Sequence, residues 1–210
     1  MNGPGRPRLK PSPSGRGTRA DLLEAAAKLF ARDGFRASTH AIAEAAGVRQ
    51  ATLYHYFANR EALLLELLLQ TVQPTIATAE ALTSATAAPQ VKLWALSHFD
   101  ATQLLRGEVN LGALYLLPET AHQAMAEFQV RWQQVRDHYR SLVASCGDGD
   151  GIRADLCLGI VESVILIRRR SDGRSPLPDG RAVADAVVQV ALGRALTVEE
   201  AAAAAELAGA

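Results

Sequence analysis

The sequence is poor in several features, and each shortage excludes a class of protein. Its 210 residues contain two cysteines, too few for the disulfide framework of a small secreted domain, which favours a reducing compartment. The first twenty residues are rich in proline, glycine and arginine and lack the apolar core of a signal peptide. No uninterrupted apolar run approaches the roughly 18 residues of a membrane helix. We therefore expect a cytoplasmic protein with no membrane partner.

Patterns typical of catalysis and of metal binding are also missing. No serine occupies a nucleophile elbow, and no glycine-rich phosphate loop follows a predicted strand. The five histidines lack the spacing of metal ligands. Cys146 and Cys157 flank a glycine-rich loop and offer a redox pair, although two idle or buried thiols are the favoured interpretation. We expect no enzymatic activity, no cofactor and no metal.

The charge of the chain is divided unevenly between its two parts. Hydrophobic residues make up 49% and charged residues 21% of the chain, as in a globular protein with a sizeable core. Residues 1–60 contain ten basic and four acidic side chains, a formal charge of +6, and residues 61–210 carry −6. A basic amino-terminal part on an acidic body indicates a polyanionic partner for the first part only.

Helical periodicity runs through the chain from Thr18 onwards, and no segment alternates with the period of two that a strand needs. We predict an all-α protein of about nine helices, with breaks at glycine and proline. The candidate helices cover 18–34, 39–46, 50–57, 59–85, 89–106, 109–117, 119–145, 155–170 and 181–196. The predicted organisation is a flexible basic arm at 1–17, a three-helix head at 18–62, a helical body at 63–196 and an alanine-rich tail at 197–210. The tail is either a frayed helix or unstructured.

Two short predicted helices, 39–46 and 50–57, are joined by a tight turn at Gly47. This arrangement is a helix-turn-helix, in which the second helix lies in the major groove of DNA. The second helix presents hydrogen-bonding and aromatic side chains without a carboxylate that would repel phosphate. Arg49 and Arg60 flank it.

Residues 18–69 resemble the DNA-binding domain of the TetR family of transcriptional regulators. The similarity follows these motifs: Leu22, Ala25-Ala26, Leu29-Phe30, Gly34-Phe35, Ser38-Thr39, Ile42-Ala43, Ala46-Gly47-Val48, Thr52-Leu53-Tyr54, Tyr56-Phe57 and Asn59-Arg60-Glu61-Ala62-Leu63. The other two thirds of the chain match only in the number and length of helices. The resemblance implies a TetR-like fold, with a helix-turn-helix head and a divergent domain that binds a ligand and forms a dimer.

The resemblance also implies which residues contact DNA. They are Thr39, His40, Gln50, Ala51, Thr52, Tyr54, Tyr56 and Arg60. The second helix itself adds His55, and Arg49, which flanks it, completes the candidate contacts. Thr39 and the two tyrosines take the positions of phosphate contacts, and 50–52 take those that meet base edges. Arg60 stands where the family usually has lysine and keeps its charge. The run 49–51 differs from the commoner small, basic, glycine run, so no base preference is implied.

The amino-terminal arm and the core of the head carry further predictions. Residues 5–8 resemble the centre of an AT-hook, which predicts that Arg6 and Arg8 enter an A·T-rich minor groove. The favoured alternative is a solvated basic tail that binds phosphates without specificity. Phe57 lies four residues after Leu53, a spacing that predicts a core position.

The carboxy-terminal body is predicted to form a dimer and to enclose a pocket. Two long helices carry apolar stripes that one chain does not bury easily, and two copies would build a four-helix bundle, as the family implies. The predicted interface residues are Ile160, Val164, Ile167, Val183, Val187 and Val190. The candidate pocket residues are Trp94, His98, Gln103, Asn110, Tyr115, Phe128 and Trp132.

These features predict a ligand-responsive transcriptional regulator, most simply a repressor. It is expected to bind a palindromic operator in double-stranded DNA as a homodimer and to respond to an unidentified small molecule. The alternative is a helical interaction protein whose helix-turn-helix does not bind specific DNA. The lack of an acidic residue in the second helix of the motif favours the regulator.

Overall fold

A computed structural model describes residues 15–147, 151–171 and 176–209, and within them the protein is built from nine α-helices with no β-strand. The prediction of an all-α fold is confirmed. The helices are α1 (Thr18–Asp33), α2 (Thr39–Ala45), α3 (Gln50–Tyr56), α4 (Arg60–Ser84), α5 (Pro89–Leu105), α6 (Ala126–Ser145), α7 (Gly151–Arg170), α8 (Gly180–Leu192) and α9 (Val198–Ala208). Arg6 and Arg8 of the predicted arm lie outside the described residues.

The head consists of α1, α2 and α3 around a small apolar core. Leu22, Ile42 and Leu53 are each fully buried there, one from each helix. The Ser38 hydroxyl accepts a hydrogen bond from the Ala41 amide and so caps α2. Gly47 adopts a φ of 69° between α2 and α3, a conformation that side chains disfavour. These local signals fix the turn of the motif.

Helix α4 connects the head to the body and lies in the core of both. The Asn59 side chain accepts a hydrogen bond from the Ala62 amide and caps its first turn. Among the described residues, this one helix is long and apolar enough to span a membrane by length and composition. Half of its most apolar window is buried inside the protein, where it packs against α1, α5 and α6. Its apolar character is therefore explained by core packing.

Helix α5 is the centre of the body, because α4, α6, α7, α8 and α9 all pack against it. Its carboxyl end is held by Arg168 of α7. The Arg168 guanidinium donates hydrogen bonds to the carbonyls of Leu104, Arg106 and Gly107, which are otherwise unsatisfied at a helix end.

The segment between α5 and α6 differs from the predicted helices 109–117 and 119–145. Residues Leu111–Leu116, Pro118–Ala121 and Gln123–Met125 form short 3-10 helices, and the α-helix begins only at Ala126. Pro118 interrupts the hydrogen bonding of any longer helix. Gly112 packs so closely on α7 that an added Cβ would lie 2.7 Å from Ile165 Cγ1. Tertiary packing therefore determines the conformation of this segment.

The alanine-rich tail forms a helix that packs on the body. Of the two predictions for the tail, helix or unstructured segment, the helix is correct. Thr197 and Glu200 make a capping box at the start of α9. Glu200 also pairs with Arg194 at 2.8 Å and accepts a hydrogen bond from Gln90 of α5. Ala204 is fully buried against α5 and α8. Helix α8 ends at Leu192, before the predicted 196, because Gly193 adopts the left-handed conformation.

A carboxyl group, that of Asp100, is buried in the middle of the body. It accepts hydrogen bonds from the Thr75 hydroxyl at 2.9 Å and the Tyr139 hydroxyl at 3.3 Å. Burial raises the pKa of Asp100 to about 6 because the interior disfavours the charged form. The folded state thus binds a proton more tightly than the unfolded state, so this group stabilises the fold at low pH and that contribution is lost as the pH rises through about 6.

We predict that Asp100→Asn, which removes this titration, becomes more stable relative to the native protein as the pH is raised from 4 to 8. The pKa difference between about 6 and 3.8 corresponds to a change of about 3 kcal/mol in the free energy of unfolding. Urea titrations of both proteins across that range measure it, with Asp137→Asn at an exposed site on α6 as the control. A stability difference that stays constant with pH would contradict the assignment.

Candidate functional site

A cluster of polar side chains joins α2 and α3 on the outer surface of the head. The Gln50 amide nitrogen donates a hydrogen bond to the Thr39 hydroxyl at 2.9 Å. That hydroxyl lies 3.1 Å from the hydroxyl of Tyr54. Three of the predicted DNA contacts are therefore held together on one surface. Two of them, Thr39 and Gln50, are the first residues of α2 and α3. We call Thr39, Gln50 and Tyr54 the polar cluster.

Helix α3 separates its residues sharply between solvent and core. Tyr54 and Tyr56 are 50% and 43% exposed, whereas Leu53 is fully buried and Phe57 is 4% exposed. The predicted core position of Phe57 is confirmed. The other predicted contacts in and around the helix-turn-helix are exposed or half-buried: His40, Arg49, Ala51, Thr52 and His55. The exposed surface of α3 is thus polar and aromatic, and it contains no carboxylate.

Arg60, the first residue of α4, is engaged inside the head. Its guanidinium lies 4.1 Å from the centroid of the Phe35 ring, a cation–π contact. One of its nitrogens is 3.5 Å from the Ala37 carbonyl oxygen. Arg60 therefore helps to pack α4 against the segment before α2, and its predicted phosphate contact stays a prediction.

The two cysteines are free thiols in the structure. Burial raises the pKa of Cys157 to about 11 and also raises that of Cys146. Both thiols are therefore protonated near neutral pH, which is typical of unreactive cysteines. Within the described residues, no group of three or more His, Cys, Asp or Glu side chains is arranged to hold a metal ion.

The body contains a cavity of about 700 Å³ between α6, α7 and the 3-10 segment. Its lining residues are Tyr115, Leu116, Thr120, Ala121, Phe128, Gln129, Trp132, Gln133, Gly159, Glu162, Ser163, Ile165 and Leu166. Three predicted pocket residues, Tyr115, Phe128 and Trp132, are among them. The α7 side of the cavity was not predicted. Its sequence signal is Glu162, an acidic residue that interrupts an apolar run.

The other four predicted pocket residues do not line this cavity. Trp94 and His98 stack on each other with ring centroids 5.0 Å apart, and the Trp94 indole donates a hydrogen bond to Asp185 of α8. Gln103 donates to the Thr71 carbonyl of α4, and Asn110 donates to the Ile165 carbonyl of α7. These side chains connect helices within the body.

The predicted dimer residues divide into two groups. Val164, Val183 and Val187 are 0%, 6% and 0% exposed, because they pack α7 and α8 against the rest of the same chain. The prediction that these three valines lie on an outward-facing stripe is therefore wrong. Ile167 and Val190 are 43% and 37% exposed, and Ile160 is half-buried.

An apolar surface does remain on the outer side of α7 and α8. Cys157 lies against the Val187 carbonyl and Arg153 donates to the Ala191 carbonyl, so the two helices run antiparallel. Leu156 is 57% exposed and Ile152 71%. We call Ile152, Leu156, Ile160, Ile167 and Val190 the outer face.

The 3-10 segment Leu111–Leu116 lies between the head and the cavity. It packs against α1 of the head, against α4 and against α7, and Tyr115 within it lines the cavity. A second cavity of about 480 Å³ lies beside it, between α1, α4 and residues 106–111. Lys28 of α1 lies near this junction, 3.7 Å from Glu108.

Comparison with known proteins agrees with this architecture. The sequence model of the bacterial regulatory proteins of the tetR family matches residues 22–67. The crystal structure of Mycobacterium smegmatis AmtR is similar over 97% of this chain and 98% of that one, with 37% identity and a TM-score of 0.84. The chain belongs to the tetR family of bacterial regulatory proteins.

The sequence similarity to curated relatives covers about a quarter to a third of the chain. The repressor KstR2 of Rhodococcus jostii is 47% identical over 53 residues, which is 25% of this chain and 26% of that protein. The regulator UidR of Escherichia coli K12 is 38% identical over 61 residues, 29% of this chain and 31% of that protein. These matches thus span about a quarter to a third of the relatives' length. AibR, solved with isovaleryl coenzyme A and operator DNA, shares the fold at 22% identity and a TM-score of 0.66, over 82% of this chain and 96% of that one.

Proposed function

We propose that this protein is a transcriptional repressor that binds a palindromic operator as a homodimer and releases it when a small molecule enters the cavity. The observation that supports this most strongly is the outer surface of α3, which is polar, aromatic and free of carboxylates. KstR2, which is 47% identical to this chain over 53 residues, is named a repressor. The proposal places the protein in the cytoplasm with DNA and assigns it no catalytic role.

DNA binding is expected to rearrange the polar cluster. In the free protein the Gln50 amide is bonded to Thr39, and an amide that reads adenine must donate and accept at a base edge. The two hydroxyls of the cluster are then available for phosphate oxygens, which position the head on the duplex. The cluster therefore holds α2 and α3 in place before the base contact forms.

The proposed coupling between ligand and operator runs through residues 111–116. A ligand in the cavity contacts Tyr115, and the segment that carries Tyr115 also packs against α1. The second cavity at the junction leaves room for α1 to move. The segment is proposed to have two positions, each of which gives a different spacing of the two heads in a dimer. A ligand that binds one of these states more tightly shifts the equilibrium towards it by the difference in its affinities.

The experiment that tests the proposal measures base preference and overall affinity separately. An operator is selected from a random DNA library, and binding to it and to its single-base variants is measured by mobility shift over a salt series. Gln50→Ala should change the ranking of sites at one base pair of each half-site, by about 1–3 kcal/mol. Arg49→Gln should weaken binding to all variants about equally and reduce the slope of the salt dependence by about one unit for each phosphate that the arginine neutralises.

Two outcomes would contradict this proposal in different ways. An equal, uniform loss for both variants would show that α3 does not read bases through Gln50. Failure of the native protein to bind any selected site above its affinity for random DNA would favour the alternative, a helical interaction protein.

A further inference from the structure

The larger cavity of the body has a mostly apolar wall that carries one acidic group. Most of its lining is apolar or aromatic, and Tyr115, Phe128 and Trp132 contribute three rings. The lining as described contains one carboxyl group, that of Glu162, and no lysine, arginine or histidine. Any formal charge on its wall is therefore negative.

The Glu162 carboxyl group is held in place at one end of the cavity. The Trp132 indole nitrogen donates a hydrogen bond to it at 3.0 Å. Burial raises the pKa of Glu162 because its carboxylate has lost much of its hydration. A positive ligand would supply the interaction that water supplies elsewhere.

A second carboxyl group lies behind the first. A small inner cavity is lined by Asp100 and Glu162 together, and Tyr115 and Trp132 line both this cavity and the larger one. Glu162 lines both cavities, and Asp100 adds a second carboxyl group on the small inner one, next to the same two aromatic rings. Rings and carboxylates both attract cations, the rings through their negative faces.

The arginine nearest to this site is already committed to another partner. Arg136 lies 5.1 Å from the centroid of the Trp132 ring. Its guanidinium donates to both carboxylate oxygens of Asp155, at 2.9 and 3.0 Å, and it does not line the cavity. Its charge also acts on Glu162 and opposes the effect of burial on the pKa of that group, but Arg136 makes its hydrogen bonds to Asp155, and Glu162 lines the cavity without it.

We propose that this cavity binds a hydrophobic organic cation, with its positive centre beside Glu162 and its apolar groups against Phe128 and Leu166. The inference rests on the proposed function, since the cavity is the effector site of that proposal, and it names the ligand class. It distinguishes this chain from AibR, which was solved with an anionic acyl-coenzyme A. A cavity whose described lining carries an acid and no basic side chain would repel such a ligand.

Two probes of nearly equal shape and opposite charge test the ligand class. Tetraphenylphosphonium and tetraphenylborate both carry four phenyl rings and are smaller than the cavity. Calorimetric titration of the full chain, without DNA, should show binding of tetraphenylphosphonium at least about tenfold tighter than that of tetraphenylborate. Equal affinities, or a preference for tetraphenylborate, would overturn the proposal.

A variant at the carboxyl group locates the site. Glu162→Gln keeps the shape of the side chain and its ability to accept from Trp132, and it should weaken tetraphenylphosphonium binding about tenfold. Glu127→Gln, an exposed acid on α6, is the matched control and should bind as the native protein does. Equal affinities of the native protein and Glu162→Gln would overturn the site assignment, and circular dichroism verifies that each variant is folded.

The same probes separate this inference from the proposed function. If tetraphenylphosphonium binds through Glu162 but leaves the selected operator bound, the cation site stands and ligand-controlled release is wrong. If the protein binds and releases its operator but shows no charge preference between the probes, the regulator stands and the cation site is wrong.

Discussion

Replacing Leu156 and Val190 together by glutamate should convert the protein into a folded monomer with operator affinity at least about a hundredfold lower. Both side chains are exposed on the outer face, at 57% and 37%, and they lie at similar heights on the antiparallel pair α7 and α8. In a homodimer each would meet its copy or a neighbour across a two-fold axis. Four buried glutamates without partners would then oppose association.

The drop in operator affinity follows from separating the two heads. A dimer that has bound one half-site holds its second head at a high effective concentration near the other, which is worth about 10² to 10⁴ in affinity. A monomer keeps only the contacts of one helix-turn-helix. Sedimentation equilibrium and mobility shift on the same samples measure both effects.

The control introduces the same number of glutamates at exposed apolar residues that lie outside the outer face. Val130 of α6 and Val198 of α9 are 60% and 87% exposed, and Val130→Glu with Val198→Glu should remain a dimer. A native protein that is monomeric at micromolar concentration, or a Leu156→Glu, Val190→Glu variant that stays dimeric, would rule out this interface. Glutamate at the buried Val164 or Val187 would instead unfold the chain and reveal nothing about assembly.

The head could be predicted from sequence because its signals are local. Ser38 caps α2, and Gly47 has the positive φ of the turn. Leu53 and Phe57 are one helical turn apart and both are buried. Each signal acts within about one turn of helix, so no knowledge of the rest of the chain is needed to interpret it.

The body was predicted less well because its conformation depends on distant contacts. Residues 111–125 have enough apolar character for helices, but Gly112 lies against Ile165, more than fifty positions away, and Pro118 breaks the hydrogen bonding. Periodicity also could not tell which apolar side of α7 faces inward. Leu156 and Val164 are both apolar, and only the packed structure shows that one is exposed and the other is buried.

The cavity shows the same limit for site residues. Aromatic residues predicted three of its thirteen lining residues, Tyr115, Phe128 and Trp132. Trp94 was predicted for the cavity on the same ground, as an aromatic residue, but it stacks on His98 on the side of α5 that faces α8. Glu162 was identifiable only as an acid within an apolar helix, and its role depends on Trp132, which lies on another element.

Gly180→Ala should lower the free energy of unfolding by about 3 kcal/mol, which is at the upper end for a single added methyl group. Gly180 opens α8 and is buried against α5. A Cβ there would overlap the Thr102 hydroxyl and lie 2.9 Å from the His98 carbonyl oxygen. The hydroxyl can rotate away, but the carbonyl belongs to a helix backbone, so the start of α8 must move outward.

That movement affects more than one interaction, because α8 and α5 together form the surface on which α9 docks. The Trp94 hydrogen bond to Asp185 and the burial of Ala204 both depend on their spacing. Urea unfolding measures the change in stability. The matched control is Gly151→Ala, where no atom of the described part of the chain lies within 4 Å of the added Cβ. Helix propensity favours alanine over glycine by up to about 1 kcal/mol, so the control should match or exceed the native stability. Equal stabilities for the two variants would mean that α8 does not need the close approach to α5 that the structure shows.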